Sequence, residues 1–221
     1  MADIVITEFM DEEVIARDFA GRDVVYDPKL VDRPDALAGL LGDARALVVR
    51  NRTQVRPPLL ALAPRLRVVG RLGVGLDNID TAACEARGIA VCPATGANDI
   101  AVAEYVLTAA LVLLRGAWFA TARVVAGEWP RMALIGREAS GQRLGLVGFG
   151  AIARETALRA RALGMEVAAC DPYLPDGHPA WNGIERLGLD DLLAASDVVS
   201  LHVPLTRETR SLIDGRALSL M

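Results

Sequence analysis

The chain has 221 residues, 52% of them hydrophobic, and a formal net charge of −4, so it can bury one large or two modest cores. Its basic residues form no block of the kind that marks a nucleic-acid surface, and we expect no nucleic-acid partner. The most apolar run, residues 100–114, is too short for a membrane span and contains Glu104. We predict a buried helix there and no membrane partner.

The three cysteines, Cys84, Cys92 and Cys170, indicate no special chemistry. They have no CxxC spacing and no His pair beside them, so the sequence predicts neither a zinc site nor a disulfide framework. The N-terminus lacks the basic region and the long apolar core of a secretory signal. We therefore expect reduced thiols, no bound metal and a cytoplasmic location.

The first part of the chain alternates short apolar runs with helical patterns. Runs typical of buried strands cover residues 3–9, 24–26, 46–50, 67–70 and 89–92, and helical spacing covers residues 35–41, 58–66 and 79–87. Continuous apolar strands linked by helices are typical of a parallel sheet covered on both faces. We predict a parallel α/β domain over residues 1–97.

The turn-rich segment 93–99 interrupts this alternation and predicts a domain boundary. Asn98 or Asp99 is the expected N-cap of the long helix that follows. After a looser stretch over residues 127–130, a second α/β series begins with a strand over residues 143–149. We therefore predict a second domain over residues 98–221.

A glycine loop, Gly148-Phe149-Gly150-Ala151-Ile152-Ala153, follows that strand and opens a helical pattern that ends at Gly164. In a dinucleotide-binding βαβ unit the first glycine permits the tight turn and the second lets the backbone approach the pyrophosphate. The third position must be small, as Ala153 is. The unpaired N–H groups of the helix stabilise the phosphates without a lysine. The alternative for this pattern alone is a plain glycine turn.

Asp171 decides between these alternatives. It ends the next predicted strand, residues 166–170, and lies 23 positions after Gly148, near the spacing of about 20 expected for the ribose-binding acid. Its carboxylate would repel a 2′-phosphate, and Pro172 and Tyr173 bring no arginine in its place. We predict an NAD-binding Rossmann domain that prefers NAD to NADP.

A further strand over residues 197–203 leads into the turn His202-Val203-Pro204-Leu205-Thr206. Ligands bind outside the carboxyl ends of parallel strands, so this turn is expected beside the cofactor. We interpret His202 as part of the cofactor loop rather than as an acid–base group. The predicted cofactor-binding residues are Gly148, Phe149, Gly150, Ala151, Ile152, Asp171, His202, Val203, Pro204, Thr206 and Thr209.

Five motifs follow one another in order along nearly the whole chain. They are Val49-Arg50-Asn51-Arg52-Thr53, residues 70–80 with Gly73-Val74-Gly75, Asn98 with Val102-Ala103-Glu104, the glycine loop with Asp171, and residues 202–206. Together they resemble the D-isomer-specific 2-hydroxyacid dehydrogenases, especially the phosphoglycerate dehydrogenase-like branch. The resemblance implies a flavodoxin-like substrate domain, a Rossmann domain that is C-terminally incomplete, and an active site in the cleft between them. It also implies a homodimer and hydride transfer between the substrate C2 and the nicotinamide of NAD.

The same resemblance suggests which residues hold the substrate. The turn Gly73-Val74-Gly75 would present backbone N–H groups to the substrate carboxylate, and the alternative is an ordinary strand-to-helix turn. Arg50, Asn51 and Arg52 occupy the place where family members that handle an additional anion present basic side chains. We expect a three-carbon 2-hydroxy acid with a second anion, such as 3-phosphoglycerate or 3-sulfolactate. Because Arg50 and Arg52 alternate along a strand end, only one points into the site unless the backbone turns.

The catalytic arginine, glutamate and histidine of the family follow the region that matches residues 206–221, so the resemblance implies that they lie beyond Met221. No catalytic residue is therefore assigned within this sequence, and we expect the 221 residues alone to be an inactive fragment of a longer enzyme. Two other functions stay open. One is an NAD-binding, corepressor-like interaction module without turnover, and the other is a structural role in an assembly through Trp118, Phe119 and Trp129.

Overall fold

The computed structural model describes residues 2–221 and contains two compact units, whose boundary falls between Ala97 and Asn98. Each unit is built on its own parallel sheet. The prediction of an α/β chain with two parallel sheets is confirmed.

The first unit contains a five-stranded parallel sheet in the order β2-β1-β3-β4-β5. Its strands are β1 (Ile4–Ile6), β2 (Val24–Tyr26), β3 (Ala46–Val49), β4 (Val68–Arg71) and β5 (Ala90–Pro93). Its helices are α1 (Glu12–Asp18), α2 (Pro34–Leu41), α3 (Pro57–Ala61) and α4 (Thr81–Ala86). This strand order is the flavodoxin-like one, in agreement with the prediction.

Both faces of this sheet are buried, which explains why its central strands have continuous apolar sequences. Val5, Leu47 and Val69 point to one face and belong to the larger core cluster of the unit. Ile6 and Val48 point to the opposite face and pack in a second cluster. Because successive strand residues alternate between faces, a strand covered on both sides needs apolar residues at every position.

The second unit contains a four-stranded parallel sheet in the order β8-β7-β6-β9. Its strands are β6 (Arg143–Val147), β7 (Glu166–Cys170), β8 (Glu185–Arg186) and β9 (Val198–Leu201). Its helices are α5 (Asp99–Arg115), α6 (Thr121–Val125), α7 (Ala151–Ala162), α8 (Leu189–Ala195) and α9 (Gly215–Leu220). The chain runs outward from β6 to β8 and then crosses to β9 on the other side of β6. The carboxyl end of β6 is therefore a topological switch point, where such sheets bind ligands.

Helix α5 differs from its prediction in its burial. It begins at Asp99 with Asn98 at the N-cap position, although the Asn98 side chain makes no capping hydrogen bond. The prediction of a buried helix is wrong for one face, where Tyr105 is 75% and Leu113 67% exposed. The buried face carries Ala103, Leu107, Ala110 and Leu114.

No single helix within residues 2–221 is long and apolar enough to cross a membrane. One pair of helical segments among the described residues reaches the required length together, Asp99–Arg115 with Ala117–Val125, and it is bent by 62° at its break.

Several short elements were not predicted from the sequence, namely α1, α6 and β8. Each has seven residues or fewer, so its hydrophobic pattern repeats too few times to be recognised. Asp11 begins α1 by accepting the N–H groups of Glu13 and Val14 at 2.8 and 3.3 Å. A side-chain cap of this kind satisfies N–H groups that have no partner inside the helix.

Candidate functional site

Gly148 directly follows β6 and has a φ of +88°, in the left-handed region that favours glycine. A Cβ atom added there would lie 2.7 Å from the carbonyl oxygen of His202 and 2.9 Å from Cγ1 of Val203. The turns after β6 and β9 are therefore in direct contact at the switch point. Glycine is required here both by backbone conformation and by the neighbouring backbone.

Gly150 has no such requirement within the protein itself. Its φ is −74°, which any residue adopts, and an added Cβ would meet nothing within 4 Å. It occupies the N-cap position of the 12-residue helix α7, and no side chain caps this N-terminus. No hydrogen bond is found for the N–H groups of Ala151 and Ile152 in the described part of the chain, so they are available to a bound anion. Ala153 is fully buried, so the helix packs closely at this position.

Asp171 joins the end of β7 to the glycine loop. Its Oδ2 accepts the N–H of Phe149 at 2.8 Å, and its Oδ1 accepts the N–H of Tyr173 at 2.9 Å. Each carboxylate oxygen retains a further lone pair for a ligand hydroxyl. The Phe149 side chain is buried and stacks on Trp181 with ring centroids 5.3 Å apart.

A cavity of about 340 Å³ lies beside Asp171. It is lined by Cys170, Asp171, Pro172, Arg186, Leu187 and Gly188. Its size is within the range of small-ligand pockets, roughly 300–1,000 Å³. Sequence reasoning missed Arg186, because it belongs to the two-residue strand β8 and reaches the cavity only through sheet pairing. Its guanidinium is ion-paired with Asp176 and lies over the Trp181 ring.

The turn after β9 is held by its own hydrogen bonds. The N–H of His202 donates to the Val147 carbonyl at 2.7 Å, and its Nε2 lies 3.0 Å from the hydroxyl of Ser200. Burial lowers the pKa of His202, so its ring is neutral near pH 7. Thr209 accepts the Thr206 N–H at 2.8 Å and donates to the Pro204 carbonyl at 2.5 Å. These contacts support the interpretation of His202 as a loop residue rather than an acid–base group.

The last helix carries no residue that we assign to catalysis. Helix α9 ends at Leu220, and Met221 after it is 57% exposed. Arg216 of this helix is ion-paired with Asp190, so its charge is already engaged within the protein. The expectation that the catalytic arginine, glutamate and histidine lie beyond Met221 is tested by none of the described residues, and it stays a prediction.

In the first unit, the turn after β4 presents two backbone donors. The N–H of Gly73 donates to the Arg71 carbonyl at 2.8 Å, so it is engaged within the protein. No hydrogen bond is found for the N–H of Val74 or Gly75 in the described part of the chain. The Arg71 guanidinium lies against Gly73, where an added Cβ would collide with it. Its buried Nε has no hydrogen-bond partner. Sequence reasoning did not assign Arg71, although it lies two residues before Gly73.

The two arginines after β3 point in different directions. The guanidinium carbon of Arg50 lies 5.8 Å from the centre of the Phe9 ring. The guanidinium of Arg52 is ion-paired with Asp32 instead. Asn51 between them is exposed. Arg50 therefore lies at the carboxyl edge of the sheet, and none of the described salt bridges pairs its charge with an acid. The charge of Arg52, by contrast, is already paired.

Two buried polar residues hold this segment in place, and sequence reasoning missed both. The Glu8 carboxylate accepts the N–H groups of all four residues from Arg50 to Thr53. Asn78 donates from Nδ2 to the Arg50 and Thr53 carbonyls at 3.2 and 2.8 Å. The only sequence signal for Glu8 was a charged residue inside an apolar strand pattern.

Comparison with known proteins places this arrangement in a family. Residues 107–221 match the model of the D-isomer specific 2-hydroxyacid dehydrogenase NAD-binding domain. The chain belongs to the D-isomer specific 2-hydroxyacid dehydrogenase family. The resemblance predicted from the five motifs is thus confirmed, and NAD is the cofactor of its second unit.

Members of this family that resemble the chain include enzymes for several acids. It is 55% identical over 222 residues to an (S)-sulfolactate dehydrogenase of Chromohalobacter salexigens, covering 100% of this chain and 72% of that protein. It is 43% identical over 191 residues to a D-3-phosphoglycerate dehydrogenase of Mycobacterium bovis, covering 86% of this chain and 36% of that protein. A crystal structure of D-lactate dehydrogenase from Aquifex aeolicus, complexed with NAD and lactic acid, superposes with a TM-score of 0.85 at 27% identity. That superposition covers 99% of this chain and 66% of the neighbour.

The residues at the switch point fit NAD. Space beside Gly150 is open where a side chain would otherwise stand, and the N-terminus of α7 is uncapped. Asp171 would hold the adenosine ribose through its free lone pairs, at the rim of the neighbouring cavity. Arg186 in that cavity is paired with Asp176 and not with Asp171.

Proposed function

We propose that this protein is an NAD-dependent dehydrogenase of a small 2-hydroxy acid that carries a second anionic group. This substrate class is proposed because the first unit has two separate sets of groups that can bind an anion. One set is the free N–H groups of Val74 and Gly75 with Arg71 beside them, and the other is the guanidinium of Arg50. A monocarboxylate would use only one of these sets.

We propose 3-sulfolactate as the first candidate substrate and 3-phosphoglycerate as the second. Both are three-carbon 2-hydroxy acids with a second anion, and the names of the two relatives support this choice. The greater identity and coverage belong to the sulfolactate dehydrogenase, which favours the sulfonate. An arginine side chain binds either anion through charge-assisted hydrogen bonds.

In this proposal the described residues bind and orient NAD and the substrate. NAD, when bound, supplies the acceptor of the hydride that leaves the substrate C2. Asp171 holds the ribose, and the N-terminus of α7 holds the pyrophosphate. Val74, Gly75 and Arg71 hold the substrate carboxylate, and Arg50 holds the second anion. No described residue is proposed as the proton acceptor, because Nε2 of His202 is hydrogen-bonded to Ser200 and the residue belongs to the loop.

The test is NADH formation by the protein expressed from its own gene, with 3-sulfolactate, 3-phosphoglycerate, glycerate and lactate in both enantiomers. A clear preference for one doubly anionic acid supports the proposal. If none of these acids gives NADH although the protein binds NAD, the proposal is contradicted and the NAD-binding, corepressor-like interaction module is favoured.

The two arginines of one turn provide a matched pair of variants for the substrate assignment. Arg50→Ala should raise KM for the doubly anionic acid by about tenfold or more, because it removes a charge-assisted contact. Arg52→Ala should change KM by less than about threefold, since its charge is already paired with Asp32 in an exposed ion pair. Equal effects of both variants would argue against Arg50 as the reader of the second anion.

A homodimer and a cytoplasmic location are further parts of this proposal. The segment after α5 exposes Trp118, Phe119 and Trp129, and aromatic side chains of this kind are enriched at protein interfaces. Sedimentation of the protein should give a dimer that Trp118→Glu weakens, and a wild-type monomer at all concentrations would remove the dimer. The cytoplasmic location follows the expectation of reduced thiols and is tested by cell fractionation.

A further inference from the structure

Glu8 is a buried carboxylate that the proposed chemistry leaves without a role. It follows β1, is only 4% exposed, and forms none of the described salt bridges within residues 2–221. Its Oε1 accepts the N–H groups of Arg50 and Thr53 at 2.9 and 3.0 Å. Its Oε2 accepts those of Asn51 and Arg52 at 3.3 and 3.0 Å. A buried carboxylate is costly unless hydrogen bonds satisfy it, and four backbone donors do so here.

The pKa of Glu8 reflects this arrangement. Burial raises the pKa of Glu8, whereas hydrogen bonds from the N–H groups of Thr53, Arg50 and Arg52 and from the Thr53 hydroxyl lower it. The resulting pKa is lower than the ordinary value for a glutamate. The carboxylate is therefore ionised near neutral pH, which is the form that accepts hydrogen bonds at both oxygens.

The carbonyl side of the same segment is held as well. Asn78 donates to the carbonyl groups of Arg50 and Thr53, and the hydroxyls of Thr53 and Thr7 lie 2.8 Å apart. Segment 50–53 is therefore restrained through both its N–H and its C=O groups by buried residues distant in sequence. Such restraint reduces the freedom that the segment would lose when a ligand binds.

The four N–H bonds also determine how segment 50–53 can recognise an anion. Because its backbone donors are already engaged by Glu8, an anion must be bound by the side chains of the segment. Arg50 is the arginine whose charge has no acidic partner among the described salt bridges, and its direction is determined by the backbone that Glu8 holds.

We propose that Glu8 is a positioning residue for the second anionic group of the substrate: its carboxylate, bonded to the four N–H groups of residues 50–53, holds the backbone from which Arg50 reaches that anion. This inference rests on the proposed function of a doubly anionic substrate. Glu8 is itself negatively charged, so its charge alone would repel the anionic group of the substrate.

Repulsion by the Glu8 charge and positioning by its hydrogen bonds predict opposite effects of the same substitution on substrate binding. If Glu8 acted only through its negative charge, Glu8→Gln would strengthen the binding of an anionic acid. If Glu8 acts by holding the segment, the same variant weakens binding, because a carboxamide can accept only at its oxygen and places an NH₂ group against backbone donors. Glu12→Gln is the matched control, since it removes the same charge from an exposed position in the first turn of α1.

The experiment measures the binding of 3-sulfolactate, 3-phosphoglycerate, glycerate and NAD to the protein expressed from its own gene, by calorimetry. We expect Glu8→Gln to weaken the better of the two doubly anionic acids by about tenfold, and glycerate, which lacks the second anion, by less than about threefold. NAD affinity should stay unchanged, because its site lies in the other unit. Glu12→Gln should change none of these affinities.

Unchanged or tighter binding of the doubly anionic acid by Glu8→Gln would overturn the inference, and so would an equal loss for glycerate. If the wild-type protein binds NAD and neither doubly anionic acid, the proposed function itself fails and this inference falls with it. Should Glu8→Gln not fold, Glu8→Asp decides the question, since it keeps the charge and shortens the reach by one methylene. Selective weakening of the doubly anionic acid by Glu8→Asp, together with faster amide hydrogen exchange at residues 50–53, supports the positioning role, and wild-type behaviour contradicts it.

Discussion

The two glycines of the NAD loop should respond to the same substitution in opposite ways. Gly148→Ala forces a side chain into the left-handed region, since φ is +88° there. Its Cβ would also lie 2.7 Å from the His202 carbonyl oxygen and 2.9 Å from the His202 carbonyl carbon. The neighbouring group is backbone and cannot rotate away. Gly150→Ala meets neither obstacle, because φ is −74° and the space around its Cβ is open.

The expected magnitudes follow from these geometries. The left-handed conformation costs a non-glycine residue roughly 1–2 kcal/mol, and overpacking adds typically about 1–3 kcal/mol, so Gly148→Ala should lose roughly 2–5 kcal/mol of unfolding free energy. For a unit of this size, 2 kcal/mol corresponds to a fall in Tm of about 6–12 °C. Gly150→Ala should leave Tm unchanged or slightly raised, because alanine reduces the entropy of the unfolded chain.

The effect expected for Gly150→Ala is on NAD affinity and not on stability. Gly150→Ala should weaken NAD by about tenfold or more, since its methyl group stands where the pyrophosphate approaches the backbone. The assay is calorimetric titration of NAD alongside differential scanning calorimetry of the same samples. A Gly150→Ala protein that binds NAD as wild type does, or a Gly148→Ala protein with unchanged Tm, would refute the reasoning for that glycine.

Three further predictions concern the ribose site, pH and helix stability. Asp171→Ala should weaken NAD by about 10–100-fold and NADP much less, measured by fluorescence titration, because the removed carboxylate binds a ribose hydroxyl but repels a 2′-phosphate. The folded pKa of Glu8 is lower than its ordinary value of 4.5, so its stabilising contribution is present above about pH 4.5 and is lost as the pH falls through the folded pKa. Calorimetry should therefore show a smaller loss of Tm between pH 6 and about pH 3.5 for Glu8→Gln than for wild type. Gly39→Ala, at an exposed position of α2 with no neighbour within 4 Å of an added Cβ, should gain roughly 0.5–1 kcal/mol.

The first of these predictions has a control variant, and each of the three has an outcome that would contradict it. Glu138→Ala, which removes a carboxylate from an exposed position of the same unit, should keep NAD affinity within about threefold. Equal losses of NAD and NADP in Asp171→Ala would reject the ribose assignment. An identical acid sensitivity of wild type and Glu8→Gln would show that Glu8 is not the titrating group. A loss of stability in Gly39→Ala would mean that α2 packs against something other than solvent at that position.

The fold and the cofactor loop were predictable because their signals are local. Apolar runs covered on both faces of a sheet, glycines at turns and an acid at the end of a strand each lie within a few residues of what they specify. The strands containing Leu47 and Leu146 were therefore placed correctly, and the NAD domain was recognised from Gly148 to Asp171. Family membership followed from the order of such local motifs.

The arrangement of side chains at the sites depended on the tertiary structure. Sequence reasoning could not tell which of Arg50 and Arg52 would be free, because Asp32, which pairs with Arg52, lies 20 residues away. It missed Glu8, whose four backbone partners lie more than 40 residues further along the chain. It missed Arg186, which lines the cavity beside Asp171 only because β8 pairs with β7.

Residue types and periodicity thus determined the two parallel sheets and the NAD loop of this protein, since hydrophobic burial and backbone conformation act over short stretches of sequence. The partners of its charged and polar residues were decided only in the folded chain. Their hydrogen bonds and ion pairs join groups from different segments of the chain, and no local pattern in the sequence specifies which donor meets which acceptor.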